Sequence, residues 1–415
     1  MTNYKYLLIL FVLLFGNLFG PNFYIAGISL RVLTTLFGIV LFFFQRKNVL
    51  MNNVFFIYIL YILYYIFISM INGSAYEEYF VKGILNWFLP SILLFLLVPC
   101  YIDSGEKMKN VCYLIICLSL FNVLVSIGEF FNLSIAWDIG NTINAHAAET
   151  SELYMERHDI SMGLMGLSIV NGICSSVVDN GYFIATAFPL LFCITKTNAI
   201  FPQYKTIVFF LVILTASASL LIQQRMGFYL ITLFVVYHLW VSLHGFGRIL
   251  LITLAVLIFF SAEYWLNSID LGRIAEAEDK DRVETYIDSV LMIFKDARLF
   301  CLGGESYYRE FFRHVPHNTL IGAWIYCGVI GFLIFAVMVV QLLQKLLPSF
   351  IGYKSRNNIV QYSLAACCLI FLAYSMTHST GLHNGKGLYF WLFYGLYLKY
   401  DYMYVGKITT YKIER

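Results

Sequence analysis

Residues 261–331 read SAEYWLNSIDLGRIAEAEDKDRVETYIDSVLMIFKDARLFCLGGESYYREFFRHVPHNTLIGAWIYCGVIG and join a long polar loop to an apolar run. After Asp281 the apolar side chains recur at the spacing of one helix face. They are Val283, Tyr286, Ile287, Val290, Leu291 and Phe294. The pattern predicts an amphipathic helix that lies along a membrane surface.

The start of this helix is predicted by Asp281 and Glu284, which have the spacing of a capping box. Arg282 then lies in the first helical turn, where a cation opposes the helix dipole at a cost of about 0.3 to 1 kcal/mol. That position suits an arginine that binds an anionic ligand together with the free N–H groups of the turn. The alternative is a solvated surface arginine.

The composition indicates a polytopic membrane protein of the all-α class. Of the 415 residues, 60% are hydrophobic and 12% are charged. We predict about twelve transmembrane helices, near residues 4–20, 23–44, 50–71, 84–102, 108–130, 178–195, 205–223, 227–243, 247–263, 317–344, 358–377 and 385–404. The cysteines lie mostly inside these runs, where a thiol is a small apolar group, and their spacing indicates neither a disulfide framework nor a zinc site.

The basic residues fall in alternate connections and therefore predict the orientation of the chain. They are Arg46, Lys47, Lys107, Lys109, Lys196, Lys205, Arg248, Lys345, Lys354, Arg356, Lys407, Lys412 and Arg415. The positive-inside rule places both termini in the cytoplasm, and the first span is expected to be an uncleaved signal anchor. Within one membrane domain, residues 1–415, this leaves two long external loops, 131–177 and 264–316, the second of which carries the surface helix.

The distribution of charge argues against several classes of function. The formal net charge of +3 indicates no nucleic-acid partner. An ion-coupled carrier usually needs carboxylates at membrane depth, whereas most acidic residues here fall in the two external loops. No repeat of the first six spans is visible in the last six, which argues mildly against a two-halved transporter. Chemistry at the external face is the simpler expectation.

Several further arginines are candidates for binding an anion. Arg225 lies in a very short outward turn, QQRMG, and the alternative is an anchor that snorkels to the interface. Arg157 lies in the first external loop beside Glu156, His158 and Asp159, where a solvated loop is the alternative. Arg273, Arg309 and Arg313 belong to the second external loop and could bind phosphate or balance nearby acids.

We expect no bound metal. Asp279 and Asp281 have a D-x-D spacing, but the cations Lys280 and Arg282 would compete with a metal ion. His314 and His317 lie three residues apart, with Pro316 between them and no partner ligand close by. His317 is instead a candidate general base for a sugar hydroxyl, because the imidazole pKa lies near working pH. The alternative is a histidine that caps the following span.

The order of these short signatures resembles the bacterial O-antigen polymerase and O-antigen ligase superfamily, which includes the Wzy-type glycan polymerases. The matching segments are Arg225–Gly227, Arg282, Leu302–Gly304, Pro316–Asn318, Gly328 and Gly331. The chain departs from the family pattern at Tyr286, near where many relatives have tryptophan. It also departs at Glu305–Ser306, where relatives often have another glycine.

The resemblance implies a membrane glycosyltransferase that polymerises oligosaccharides carried on undecaprenyl diphosphate, both as donor and as acceptor. It implies no nucleotide sugar and no cofactor, an active site on the external face of the bacterial inner membrane, and the bilayer and a chain-length regulator protein as partners. Arg225 and Arg282 would stabilise the leaving phosphate and His317 would act as general base. The expected substrate-binding residues are Arg157, Arg273, Tyr307, Arg313, His314 and Asn318, with Tyr308 as the alternative to Tyr307 for stacking on a sugar ring.

Two other functions stay open at this point. A ligase that moves the finished chain to another acceptor would have the same signatures. An exporter or flippase of lipid-linked sugars would need cationic residues that line a central cavity. We favour the polymerase, because the loop offers a tyrosine-rich, charged surface for two glycans and no feature suggests a dock for a second kind of acceptor.

Overall fold

Helices form most of the described chain. The computed structural model describes residues 5–44, 49–73, 78–144, 170, 172–174, 176–194, 205–221, 225–250, 253, 279–312, 315–351, 359–377, 381–404 and 411–413. Within these ranges the strands form only short two-stranded pairs, so the predicted all-α class is confirmed. Helices suit such an apolar chain because each satisfies its own backbone hydrogen bonds without water.

We number the α-helices of the described residues in chain order. They are α1 (Lys5–Phe19), α2 (Leu30–Phe44), α3 (Asn53–Ile71), α4 (Glu78–Gly83), α5 (Leu89–Leu97), α6 (Gly105–Phe130), α7 (Ser134–Ile143), α8 (Val177–Ile194), α9 (Lys205–Leu221), α10 (Arg225–Ser242), α11 (Asp279–Lys295), α12 (Ala297–Cys301), α13 (Glu305–Arg309), α14 (Thr319–Ile351), α15 (Ile359–Ser375) and α16 (Leu388–Tyr404). A π-helical turn, Ile84–Phe88, precedes α5, and a 3₁₀ turn, Val98–Tyr101, follows it.

Among the described residues, four helical segments are long and apolar enough to cross a bilayer, which is the pattern of a multi-pass membrane protein. They are Asn53–Ile71, Ile84–Tyr101, Gly105–Phe130 and Thr319–Ile351. A helix also lies in each of the other predicted stretches, although most of residues 247–263 fall outside the described residues. Several of these helices are shorter apolar ones, so the number of twelve crossings stays a prediction.

Side-chain caps fix where the long helices begin. Asn52 accepts a hydrogen bond from the N–H of Phe55 at the start of α3, and Ser104 accepts one from the N–H of Lys107 at the start of α6. Each cap satisfies one of the backbone donors that a helix start leaves without an intrahelical partner, which is worth about 1 kcal/mol.

The core is built around α16, which packs against α5 and α15. Every residue from Leu388 to Leu398 is buried, the pattern of a helix that is apolar on all sides. Its Trp391 ring lies 4.3 Å from that of Tyr58 and 5.4 Å from that of Phe95, between centroids. These aromatic contacts tie α16 to α3 and α5.

A short antiparallel pair of strands joins two connections that the charge pattern predicts on one side of the membrane. The strand Val49–Met51 follows α2, and the strand Tyr411–Ile413 lies in the C-terminal tail. Val49 pairs with Ile413 in this register. A second pair, Tyr24–Ile25 with Ile28–Ser29, forms the turn between α1 and α2. Which end of the bundle is cytoplasmic stays a prediction.

The described part of the first predicted loop, residues 131–177, packs into the bundle. Helix α7 lies against α6, and Val170, Ile173 and Cys174 are buried. The carboxylate of the buried Glu129 accepts a hydrogen bond of 2.8 Å from the N–H of Gly172. These segments bury apolar side chains and find hydrogen-bond partners on α6. The charged stretch around Arg157, for which a solvated loop is the alternative, lies outside the described residues.

Candidate functional site

Helix α14 is interrupted at Gly328, and Gly303 and Gly304 of the preceding loop pack against the break. Gly328 has φ 64° and ψ −169°, a conformation that is open essentially to glycine alone. The carbonyl of Ile325 accepts a 2.7 Å hydrogen bond from the N–H of Gly304. In an uninterrupted helix that carbonyl would accept from residue 329. The loop therefore supplies a donor that the interrupted helix lacks.

The fit at the gap leaves no room for side chains. A Cβ on Gly303, which has φ 68°, would lie 2.5 Å from the backbone nitrogen of Gly328. A Cβ on Gly328 would overlap the carbonyl of Cys301. Asn72, at the end of α3, donates from its side chain to the carbonyl of Gly303 at 3.4 Å. Three of the glycines singled out in the sequence, Gly303, Gly304 and Gly328, thus meet at one junction of α3, the loop and α14.

The loop helices form a small assembly on the first part of α14. Ile293, Leu299, Tyr308, Val315 and Ile325 bury their side chains together. The hydroxyl of Tyr308 and that of the buried Ser289 in α11 share a 2.7 Å hydrogen bond. Burial of each large apolar side chain contributes about 1.5 to 3 kcal/mol, so the assembly has a core of its own.

Helix α11 is joined to the segment that precedes α14. The hydroxyl of Tyr286 donates a 2.6 Å hydrogen bond to the carbonyl of His317. Tyr286, Ser289 and Ile293 share one helix face, and position 282 lies on that face one turn before Tyr286. The side chain of Arg282 is outside the described residues. The Tyr286 hydrogen bond nonetheless joins the helix that carries Arg282 to the backbone of His317.

The predicted start of α11, with Asp281 as the N-cap and Arg282 as the first helical residue, was wrong by three residues. The helix begins at Asp279, so Asp281 lies inside the helix and does not cap it. Arg282 is the fourth residue of the helix and lies at the end of its first turn, later than predicted. Asp281 and Glu284 have the spacing of a capping box, but another aspartate, Asp279, lies two residues earlier and is where the helix begins.

The apolar face of α11 is exposed on the protein. Ile287, Leu291 and Phe294 are 54%, 48% and 61% exposed. The Phe294 ring lies 5.4 Å from the ring of Trp324, between centroids, and Trp324 stacks on Phe332 of α14 at 4.6 Å. An exposed apolar helix face that continues onto an apolar spanning helix supports the predicted contact with the membrane surface.

Asn318, and not His317, caps the helix that follows. The side-chain oxygen of Asn318 accepts hydrogen bonds from the N–H groups of Leu320 and Ile321, at 2.9 and 3.1 Å. Its side-chain nitrogen donates to the carbonyl of Met376 at 3.2 Å. The capping role considered for His317 therefore belongs to its neighbour. The His317 imidazole is half-buried at the start of α14.

The C-terminal end of α15 is the common neighbour of this segment and of the turn that carries Arg225. Arg225 opens α10, and its side chain is outside the described residues. Two residues on, a Cβ at Gly227 would lie 3.4 Å from the ring of Tyr374. Tyr374 precedes Met376, the partner of Asn318, by two residues. The backbone of the Arg-x-Gly turn and the segment with His317 thus lie at the same end of α15.

Tyr307 lies in a polar surface cluster. Its hydroxyl donates a 2.8 Å hydrogen bond to Asp296, and the Arg298 guanidinium lies 4.2 Å from the ring centroid. Asp296 also accepts from the N–H of Leu299, and this bond, followed by that from Tyr307, lowers the carboxyl pKa. The half-buried ring of Tyr307 suits contact with a sugar better than that of Tyr308, which is buried and stacked on Phe312.

The other predicted site residues mostly lie outside the described residues. These are Arg157, Arg273, Arg313 and His314. Arg309 is paired with Glu305, at 2.6 Å between guanidinium nitrogen and carboxylate oxygen. Among the side chains that the structure describes, no group of three or more His, Cys, Asp or Glu could hold a metal. The side chains of Asp279 and Asp281 are not among them, so the D-x-D pattern stays untested.

Sequence reasoning missed the loop between α15 and α16. His383 is buried there, and its Nδ1 lies 2.8 Å from the hydroxyl of Thr319, in the first turn of α14. Burial, with the nearby Lys386 charge, lowers the pKa of His383 from 6.5 to about 3. The sequence signal was a pair of polar residues, His383 and Asn384, within GLHNGKG, between apolar runs.

An apolar groove of about 530 Å³ lies along the other half of α14, lined by residues between Val340 and Ile351. It is at the far end of the helix from His317 and does not belong to the candidate site.

No model of a known protein family matches this chain, and no curated protein matches it in sequence. The described residues define a multi-pass membrane protein that carries a structured loop assembly at one end of its helices.

Proposed function

We propose that this chain is a membrane glycosyltransferase of the O-antigen polymerase type. It would join oligosaccharide repeat units carried on undecaprenyl diphosphate at the external face of the bacterial inner membrane. The observation that supports this proposal is how the loop joins the bundle. Gly304 bonds to the carbonyl of Ile325 at the α14 break, and Tyr286 bonds to the carbonyl of His317. These bonds hold the loop helix α11, the Gly303–Gly304 segment and the start of α14 in one assembly.

In the proposed reaction, the acceptor sugar hydroxyl attacks the anomeric carbon of the donor glycan. A new C–O bond forms while the bond from that carbon to the phosphate oxygen breaks, and undecaprenyl diphosphate leaves with the electron pair. His317 takes the hydroxyl proton as general base. The hydrogen bond from Tyr286 holds the carbonyl of His317, and the cap from Asn318 holds the next residue at the helix start. Together they restrict the backbone that carries this imidazole.

Negative charge develops on the leaving phosphate, and Arg225 and Arg282 are proposed to stabilise it. A preorganised charge donor of this kind is typically worth about 3 to 4 kcal/mol of barrier. A guanidinium can also bind phosphate through two parallel hydrogen bonds, which a lysine cannot reproduce. The exposed apolar face of α11 would keep Arg282 at the depth of lipid phosphates, because that face is suited to the bilayer surface.

The bilayer, the lipid-linked donor and acceptor, and a chain-length regulator protein are the proposed partners. Among the described residues, the side chain of Asn318 bonds to the backbone of Leu320, Ile321 and Met376. A contact with substrate would therefore have to replace or share the bond to Met376.

The test is the size of lipid-linked and surface glycans in a deletion strain, complemented with the wild-type gene or with Arg282→Ala. Loss of a polymerase should leave single repeat units, which a separate ligase can still attach. The wild-type gene should restore long chains and Arg282→Ala should not.

Long chains that accumulate on undecaprenyl diphosphate in the deletion strain would overturn the polymerase in favour of a ligase. Unchanged glycans in both fractions would overturn both transferases.

A further inference from the structure

The loop Gly381–Gly387 is held in place from several sides. The hydroxyl of Tyr61 in α3 donates to the carbonyl of His383 at 2.9 Å, and the hydroxyl of Ser91 in α5 donates to that of Gly385 at 3.1 Å. The side chain of His383 meets the hydroxyl of Thr319 in α14. These bonds connect the loop to the same turn of α14 that follows His317.

Close packing makes the loop still more rigid. A Cβ on Gly322 of α14 would lie 2.5 Å from Nε2 of His383, so this helix turn accommodates the imidazole only because it carries no side chain. Gly385 has φ 78°, and a Cβ there would lie 2.8 Å from the ring of Phe88. The backbone on the N-terminal side of Lys386 is therefore fixed, which restricts the positions that the Lys386 side chain can reach.

The lysine in this loop shares an aromatic ring with a buried arginine. The Nζ of Lys386 lies 5.0 Å from the ring centroid of Trp87, and the guanidinium carbon of Arg31 lies 4.4 Å from the same ring. Arg31 is 2% exposed, and its nitrogens donate to the carbonyls of Asn17, Leu18 and Asn86. Lys386 is half-buried.

Among the described residues, neither cation forms an ion pair with a carboxylate. Asp179 exerts a favourable electrostatic effect on Arg31 without reaching ion-pair distance. Described ion pairs join Lys107 to Asp103 and Arg309 to Glu305. Two partly or fully buried cations on one neutral ring create a positive potential, which attracts an anion at the accessible member, Lys386.

We propose that Lys386 is an anion-binding residue that takes a phosphate group of a lipid-linked diphosphate beside the candidate site. The Trp87 ring holds the ammonium in position, Arg31 adds a second positive charge next to the same ring, and His383 ties the loop to α14. Lysine binds phosphate as a compact point charge. The lipid identity of the ligand rests on the proposed function, whereas binding of a diphosphate does not.

The experiment measures binding to the purified full-length protein in detergent, with three probes: undecaprenyl diphosphate, inorganic diphosphate and undecaprenol. The variants are Lys386→Gln and Lys386→Arg. The matched control is Lys399→Gln, because Lys399 is also half-buried and its Nζ lies 5.8 Å from the Tyr402 ring centroid, but on α16. Unfolding temperatures without ligand verify that each variant is folded.

We expect Lys386→Gln to raise the Kd for undecaprenyl diphosphate about tenfold or more, since a hydrogen bond to a charged group is lost. Lys386→Arg and Lys399→Gln should stay within about threefold of wild type. If Lys386→Gln loses as much affinity for inorganic diphosphate as for undecaprenyl diphosphate, the anion site is supported and a soluble phosphate is its ligand. Unchanged affinity of Lys386→Gln for both phosphate probes overturns the proposal. If diphosphate binding depends on Lys386 but deletion of the gene does not shorten the glycans to single repeat units, only the polymerase proposal is overturned.

Discussion

The hydroxyl of Tyr286 lies 2.6 Å from the carbonyl oxygen of His317, across 31 residues of sequence. This bond joins the helix that carries Arg282 to the segment that carries the proposed general base. We expect Tyr286→Phe to lower the rate of glycan polymerisation about fivefold, the equivalent of about 1 kcal/mol for one hydrogen bond. The measurement is the initial rate with lipid-linked repeat units.

Tyr308→Phe is the matched control, because Tyr308 also loses a hydroxyl bond, of 2.7 Å to Ser289, within the same loop assembly. It should lower the unfolding temperature and leave the rate of the folded enzyme near that of wild type. Equal rates for the two variants would show that the Tyr286 bond has only a structural role.

Arg282→Ala should lower the polymerisation rate by about 10² to 10³, because a preorganised charge opposite the leaving phosphate is lost. Arg282→Lys should recover little of it. Lys295→Ala is the control, since Lys295 is an exposed cation in the last turn of the same helix. Protein levels in the membrane are measured beside the rates. A rate near wild type for Arg282→Ala would identify a surface arginine.

Gly303→Ala and Gly328→Ala should strongly destabilise the protein, because a methyl group at either position overlaps backbone on the other side of the junction. Gly73→Ala separates this overlap from backbone strain. Gly73 has φ 77°, and a Cβ there has nothing within 4 Å. It should cost only the strain, about 1 to 2 kcal/mol. Unfolding temperatures in detergent provide the comparison, and three equal shifts would contradict the tight junction.

The positions of the helices could be predicted from the sequence because apolar run length alone decides which segments suit a bilayer. The break at Gly328 could not, since the run from Leu320 to Val340 continues on both sides of it without a charged residue and the interruption depends on a partner, Gly304, outside the run. Gly303, Gly304 and Gly328 were singled out by resemblance, without a physical reason. In the structure, the reason is that the two backbones approach each other too closely for a side chain at Gly303 or Gly328.

Candidate residues near one another in sequence were easier to find than those brought together by folding. Arg282 and His317 belong to one loop and one following span, and both could be named in advance. His383 and Lys386 lie on a loop whose place is set by Tyr61, Ser91 and Thr319, from three separate helices. No local pattern carries that information.

The stability of the folded protein should fall as the pH falls from 7 to 5, partly through His383. Its pKa is about 3 when folded and 6.5 as the ordinary value, so below pH 6.5 the unfolded state binds a proton that the folded state does not. The loss should reach about 2 kcal/mol at pH 5. The groups around the imidazole are Thr319, Tyr326 and the cation Lys386.

His383→Asn tests this dependence, because the amide keeps a donor at the position of Nδ1 and cannot ionise. Its unfolding temperature should vary less between pH 7 and pH 5 than that of wild type. The same variation in both proteins would assign the effect to other groups.

A reporter fused after Lys196 should be cytoplasmic, and one fused after Asp279 should be external, because the basic residues fall in alternate connections. Reporter activity that depends on compartment provides the measurement. A control fusion after Lys407 should match the fusion after Lys196. If the Lys196 and Asp279 fusions reported the same side, the loop assembly could not meet substrate at the external face.

Gly328 divides α14 into a short piece and a long piece. The short piece, from Thr319 to Cys327, is bonded to the loop by Gly304 and places Ile325 in the apolar core of the loop assembly. Ala323 and Cys327 on the same piece belong instead to the core of the bundle. One short stretch of helix is thus shared by two cores, and the change of direction at Gly328 allows it to serve both.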